Sequence, residues 1–180
     1  MSTLNVAIPV AWVVFWVYWL ISAFAAKRGS RTTLTRFPGL GILVLAFVLL
    51  RIFKANSLTV HTPVLQVIGV VLFVSGLAFA VWARIHLGRN WGMPMTQKDE
   101  PELVTSGPYH LVRHPIYSGI LLAMLGTAVA THVYWFIVFA VMGVYFIYSA
   151  TVEEKIMMDA FPSTYPGYKA ETKMLIPFVL

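Results

Sequence analysis

Apolar positions along the chain fall in long unbroken runs, and the polar, Gly and Pro positions collect in the gaps between them. Five runs approach the ~20 residues that an α-helix needs to cross about 30 Å of hydrocarbon: approximately 6–26, 38–53, 63–83, 116–132 and 133–152. The second is the shortest and ends at Arg51, whose side chain can snorkel to the interface. The first is expected to persist as a helix. No basic residue precedes it, and its apolar stretch exceeds a signal core of roughly 7–15 residues.

Within these runs the finer pattern carries packing information. Trp12, Trp16 and Trp19 recur at helical spacing on one face of the first helix, a stripe expected to face lipid or anchor at the interface. Gly119, Ala123, Gly126 and Ala130 put small residues on one face of the fourth helix, which permits close approach of a neighbouring backbone. A tight turn around Thr131 and His132 joins the fourth helix to the fifth. An amphipathic connector from Arg84 to Gln97 is expected along the interface, and a short amphipathic helix broken at Pro162 follows the fifth span. The pattern predicts an all-α polytopic membrane protein of about five transmembrane helices.

Composition agrees. The chain is 59% hydrophobic and only 11% charged, against a usual charged share of roughly 25% for a soluble domain. It has no cysteine, which excludes disulfides, thiolate metal sites and cysteine nucleophiles. The formal charge of +6 does not call for nucleic acid, because membrane topology accounts for it. Lys27, Arg28, Arg31 and Arg36 follow the first helix, Arg84, Arg89, Lys98 and Arg113 follow the third, and Lys155, Lys169 and Lys173 follow the fifth. The positive-inside rule then puts the amino terminus outside and the carboxyl terminus in the cytoplasm. All seven acidic residues, Asp99, Glu100, Glu102, Glu153, Glu154, Asp159 and Glu171, lie in the second half on that same side. Residues 1–83 therefore read as a three-helix scaffold and 84–180 as the working half of one membrane domain, 1–180.

The chemistry concentrates between Glu102 and Gly119, a polar, Pro-broken stretch between membrane segments. Irregular backbone and ionisable groups are tolerated there only where they meet water or line a cavity. Gly107-Pro108 makes a turn. Pro115 disfavours helix at His114, so Arg113 and His114 stand just ahead of the fourth helix, where free N–H groups would welcome an anion. The residues alone equally allow Arg113 to pair with a lipid headgroup and His114 to cap the helix. Glu153-Glu154 reads either as a functional pair or as a solvated helix end. His110 and His114 have a helical metal-ligand spacing, but Pro115 interrupts the helix they would share, and no metal site is expected. His61, His86 and His132 read as interfacial imidazoles. No Gly-x-Gly-x-x-Gly follows a strand and no phosphate loop is present, so any nucleotide-like cofactor must be held by the membrane domain itself.

Leu103-Val104-Thr105-Ser106-Gly107-Pro108-Tyr109, Arg113-His114-Pro115-Ile116-Tyr117-Ser118-Gly119 and Glu153-Glu154, with Phe161, Tyr165, Tyr168 and Leu175-Ile176-Pro177, resemble the isoprenylcysteine carboxyl methyltransferase family of integral membrane enzymes. The resemblance covers about residues 85–180 and is specific for the wider family, not for the methyl acceptor. It implies an S-adenosylmethionine site at the cytoplasmic face of the carboxyl-terminal half. Leu103, Val104, Tyr109, His114, Pro115, Ile116, Tyr117 and Glu153 occupy the matching cofactor-binding positions. It further implies transfer of methyl to a lipophilic acceptor, foremost a carboxylate, with Arg113 holding the anion. For an amine acceptor Glu154 is the nearest proton acceptor. Where eukaryotic relatives carry a substrate-binding Arg this chain has Ser149, and where many have a His it has Pro101. A small prokaryotic-type member in the inner membrane is expected, in contact with lipids and its substrate, with no nucleic acid and no obligate protein partner. The other classes compatible with these residues are a phospholipid or other lipophilic amine methyltransferase, an NADPH-dependent sterol-type reductase with a related Arg-His-Pro-x-Tyr segment, and a non-catalytic membrane scaffold.

Overall fold

A computed structural model describes residues 3–23, 29–31, 59–91, 96–98 and 102–179. Helix α1 spans Leu4–Ala23, α2 Pro63–Leu87, α3 is the single turn Pro108–Leu111, α4 spans Pro115–Ala130, α5 Trp135–Ala160 and α6 Tyr165–Glu171. Two short strands, β1 (Gly29–Arg31) and β2 (Thr96–Lys98), pair antiparallel with Ser30 opposite Gln97. The expected span 38–53 lies outside the described residues, as does Pro101. Helices α1, α2 and α5 are long and apolar enough to cross a membrane, and the shorter α4 is equally apolar. The protein is an all-α integral membrane protein with one small ribbon beside the helices.

Proline starts and one glycine stop set several of the helix ends. Pro63, Pro108 and Pro115 each open a helix, where the missing N–H costs nothing and the fixed φ suits the first turn. Helix α2 ends at Gly88, whose φ of +55° lets its N–H turn back to the carbonyls of Arg84 and Ile85. That stop comes one turn later than the apolar run implied, so Arg84 belongs to the helix and is buried rather than lying along an interface. Helix α5 likewise continues past the expected residue 152 to Ala160, and Glu153 and Glu154 stand within the helix instead of fraying at its end. The short amphipathic helix expected ahead of Pro162 is the continuous end of α5, and α6 follows after Pro162.

The small residues of α4 do pack as their spacing implied, against α2. A Cβ added to Gly126 would lie 2.3 Å from the Phe73 nitrogen, and one added to Gly119 would lie 2.6 Å from the Ala80 nitrogen. From the other side, Gly69 meets Ala130 at 2.4 Å and Gly76 meets Ala123 at 2.4 Å by the same measure. The two helices run antiparallel with backbones in contact, a seam in which van der Waals packing replaces the hydrophobic driving force that lipid does not supply. No rotamer relieves a clash with a main-chain nitrogen. Gly126→Val is therefore expected to destabilise the bundle by about 3 kcal/mol, the upper end for overpacking. Gly167→Ala, at a position with open space around it, is expected to change nothing. Unfolding in a denaturing-detergent titration measures both, and equal stability of the two variants would contradict the seam.

The tryptophan stripe divides between inside and outside, contrary to the lipid-facing expectation. Trp12 donates its indole N–H to Thr127 Oγ1 of α4 at 3.1 Å, and Trp19 is buried with its ring edge-on to Trp91, centroids 5.8 Å apart. Trp16 remains exposed. An indole N–H in a membrane interior needs an acceptor, and Thr127 provides one. The other end of the α4–α5 turn is tied by Val60 N–H to Thr131 O, 2.8 Å, and by Thr59 Oγ1 with His132 Nδ1, 3.1 Å.

Candidate functional site

The polar stretch folds into a ledge that the chain's own tail completes. Gly107 takes φ +59°, and a Cβ there would strike the His86 ring at 2.7 Å, so glycine serves both the turn and the close approach. His86 in turn meets Ser106 Oγ at 2.9 Å and stacks on Tyr109. Val112 is extended and pairs in parallel with Lys173. The N–H groups of Arg113 and His114 donate to the carbonyls of Lys173 and Met174, 2.8 and 3.0 Å. Ser118 Oγ donates to Leu175 O at 2.6 Å, and Leu175 is buried in the main core. The N–H groups of Arg113 and His114, just ahead of α4, are thus spent on the tail.

His114 caps α4 with non-helical φ and ψ, as Pro115 requires. Its ring stacks flat on Tyr117, centroids 5.6 Å and planes 5° apart, and Tyr117 stacks on Phe146 of α5 at 4.5 Å. Tyr117 O–H donates to Glu153 Oε1, while Glu153 Oε2 lies 3.4 Å from His114 Nδ1. One turn of α4 and one of α5 thereby bring His114, Tyr117 and Glu153 together. Consecutive helical residues project about 100° apart, and Glu154 accordingly faces a different set. It receives Arg113 Nε at 2.7 Å and Lys169 Nζ at 2.7 Å. Arg113 also donates from Nη1 to the carbonyls of Lys169 and Thr172.

The electrostatics follow from these contacts. Burial disfavours the charged form of His114, but hydrogen bonds and charge from Glu153 and Glu154 outweigh it and raise the imidazole pKa. Its Nε2 is buried without a hydrogen-bond partner, 3.6 Å from Glu154 Oε1. Burial pushes the Tyr168 hydroxyl up to about 12, so it stays a donor, and it gives its proton to Tyr109 O at 2.6 Å. Burial also raises Tyr109, with Tyr168 and Glu153 adding to the effect.

Of the residues singled out in the sequence, Tyr109, Ile116 and Tyr117 are buried in one core cluster with Phe146, and Val104 packs against it. Pro115 is buried at the start of α4, and Leu103 is half-buried. Arg113 and Glu154 face each other. Sequence reasoning missed Phe146 and the tail carbonyls. Phe146 lies seven residues before Glu153, two helical turns along the same face of α5, and that spacing was a readable signal. A tail that supplies backbone oxygens leaves no signature in side-chain pattern. A separate cavity of about 380 Å³ sits at the opposite end of the bundle, lined by Trp12, Trp16, Thr127, His132 and Trp135 among others, away from these groups.

The family model described as phospholipid methyltransferase matches residues 64–164. A methanethiol S-methyltransferase from a Pseudomonas species is 34% identical over 80 residues, 44% of this chain and 30% of the relative. A methanethiol S-methyltransferase from Bradyrhizobium diazoefficiens is 28% identical over 173 residues, 91% of this chain and 59% of the relative. A probable protein-S-isoprenylcysteine O-methyltransferase from Oryza sativa is 27% identical over 117 residues, 62% of this chain and 61% of the relative. The chain spans from 30% to 61% of the length of these relatives. The matched segment, 64–164, includes every residue of the His114–Tyr117–Glu153 cluster.

Proposed function

The chain belongs to the phospholipid methyltransferase family, and we propose that it transfers the methyl group of S-adenosylmethionine to a lipophilic carboxylate or thiol at the cytoplasmic mouth of its helical bundle. The observation that carries this reading is the joining of His114, Tyr117 and Glu153, from two elements distant in sequence, into one partly exposed polar cluster beside stacked aromatic rings. The donor set suits a nucleoside sulfonium bearing an amino acid. Glu153 provides acceptor oxygens for ribose hydroxyls or an ammonium, and the buried, unpartnered Nε2 of His114 provides a donor for a carboxylate. Tyr109, Val104 and Ile116 provide apolar and aromatic cover for a purine.

When bound, S-adenosylmethionine brings its own activated methyl group, and the chemistry asked of the protein is alignment in a site closed to water. The acceptor then needs a reactive lone pair and an apolar approach. A carboxylate already has the first and needs no proton acceptor, whereas a thiol must first give up its proton. An amine acceptor needs a base, and Glu154 is poorly suited to that task because Arg113 and Lys169 both hold it at 2.7 Å. Carboxyl O-methylation is therefore favoured over N-methylation, in keeping with the similarity to a probable protein-S-isoprenylcysteine O-methyltransferase.

Titration of the purified protein with S-adenosylmethionine, S-adenosylhomocysteine and NADPH tests the proposal. Saturable binding of the first two, lost in His114→Ala, is expected. Binding of NADPH alone would favour a reductase, and binding of none of them a scaffold.

A further inference from the structure

A second buried cation stands apart from the cluster, and it lacks what the first one has. Arg84 is 4% exposed near the end of α2. Its Nη1 donates to Gly88 O at 2.8 Å and its Nη2 to Ser22 O at 2.6 Å, which ties the end of α1 to the end of α2. The guanidinium carbon lies 4.7 Å from the centre of the Trp91 ring. Among the described residues no carboxylate pairs with it, and its Nε is buried with no acceptor. A buried charge is ordinarily neutralised by a partner, as Arg113 is by Glu154, and one left without a counter-ion in a membrane protein marks a place where an anion is received.

It is linked to the cluster through shared neighbours. Tyr109 has both Arg84 and Glu153 as electrostatic neighbours. Ala80 and Ala83, in the turn of α2 that leads into Arg84, share one core cluster with Trp91, Tyr109, Tyr117 and Phe146. Trp91, beside the guanidinium, meets the buried Trp19 ring edge-on, and these apolar rings suit an alkyl chain that follows an anionic head. Trp91 is carried by the 3-10 turn Gly88–Asn90, and Gly88 has open space around it.

We infer that Arg84 receives the anionic head of the lipophilic acceptor, with its free Nε–H, in the plane of the guanidinium, donating to the anion. The inference rests on the methyl-transfer reading for its place in the reaction, but the binding it describes needs no methyl donor. Arg84 is thereby a specificity-determining residue, which selects anionic over neutral acceptors.

The test uses tryptophan fluorescence of the full chain in nonionic detergent, titrated with decanoate, decanol and decylamine. Decanoate is expected to change the emission saturably at concentrations at least about tenfold below decanol, since a charge-assisted hydrogen bond is roughly twice as strong as a neutral one. Decylamine should bind no better than decanol. Arg84→Gln should erase the preference while leaving the decanol response in place. Equal responses to decanoate and decanol in the unaltered protein would overturn the inference, as would an equal loss of both in Arg84→Gln that still inserts and binds S-adenosylhomocysteine. If Arg84→Gln does not fold, Arg84→Lys keeps the charge but not the Nε–H, and a preference undiminished in that variant equally overturns it. A preference for decanoate in protein that transfers no methyl supports the Arg84 site and counts against the methyl-transfer reading alone.

Discussion

Glu153→Gln is expected to lower methyl transfer by at least about 100-fold, the effect of removing one pre-aligned electrostatic group from a reaction centre. Glutamine keeps the shape and can still accept the Tyr117 hydroxyl, so the stack of His114, Tyr117 and Phe146 should persist. What disappears is the negative charge 3.4 Å from His114 Nδ1, which supports the charged imidazole and which the proposal assigns to cofactor recognition. Binding of S-adenosylhomocysteine should weaken in parallel with turnover, while membrane insertion and helical content stay unchanged. Wild-type turnover in Glu153→Gln would remove the cluster from the mechanism.

Arg113→Ala is expected to act differently, through the fold as well as the rate. Arg113 and Glu154 have side chains 8% and 3% exposed, and the same guanidinium donates to the carbonyls of Lys169 and Thr172. Removing it leaves Glu154 to Lys169 and His114 and releases the carbonyls that dock the tail. Breaking a buried pair from one side costs about 3 kcal/mol. The loss should appear in a denaturing-detergent titration and be accompanied by a severe fall in turnover, because the tail segment 173–175 that closes the ledge depends on this corner. Arg113→Lys should recover part of the stability, but a single ammonium cannot reproduce the fork of donors. If Arg113→Ala lost turnover at full stability, Arg113 would instead be meeting the substrate directly.

The contrast between these two substitutions marks what the chain's pattern made legible. The transmembrane runs that fall on described residues, the turn at Gly107-Pro108, the break at His114-Pro115 and the small-residue face of α4 all arise from local sterics or periodicity, which a sequence displays directly. The meeting of His114 and Tyr117 with Glu153 was legible only through the family resemblance, because it depends on how α4 and α5 cross. Pairing of Arg113 with Glu154 was not legible. Both stood as separate candidates for the chemistry, and nothing in two polar residues 41 positions apart says that they neutralise each other. The late end of α5 was missed for a related reason. Charged residues at 153–155 look like the edge of the bilayer, yet Glu154 finds Arg113 and Lys169 as partners, and a helix continues wherever its polar groups are satisfied. Arg84 shows the converse: it resembled an interfacial cation, and only its burial distinguishes it.

The backbone-to-backbone contact of α2 and α4 decides how a greasy molecule reaches the centre. With Gly126 against Phe73 and Gly76 against Ala123 there is no side-chain layer to fold aside, so those two helices act as a keel and cannot part to make a doorway. On the proposed reading, among the described elements a guest arriving sideways from the lipid would pass along the faces of that keel turned toward α1 and α5. Changes that bulk up or thin out those outer faces should retune which guests are admitted while leaving the central spine of the protein intact.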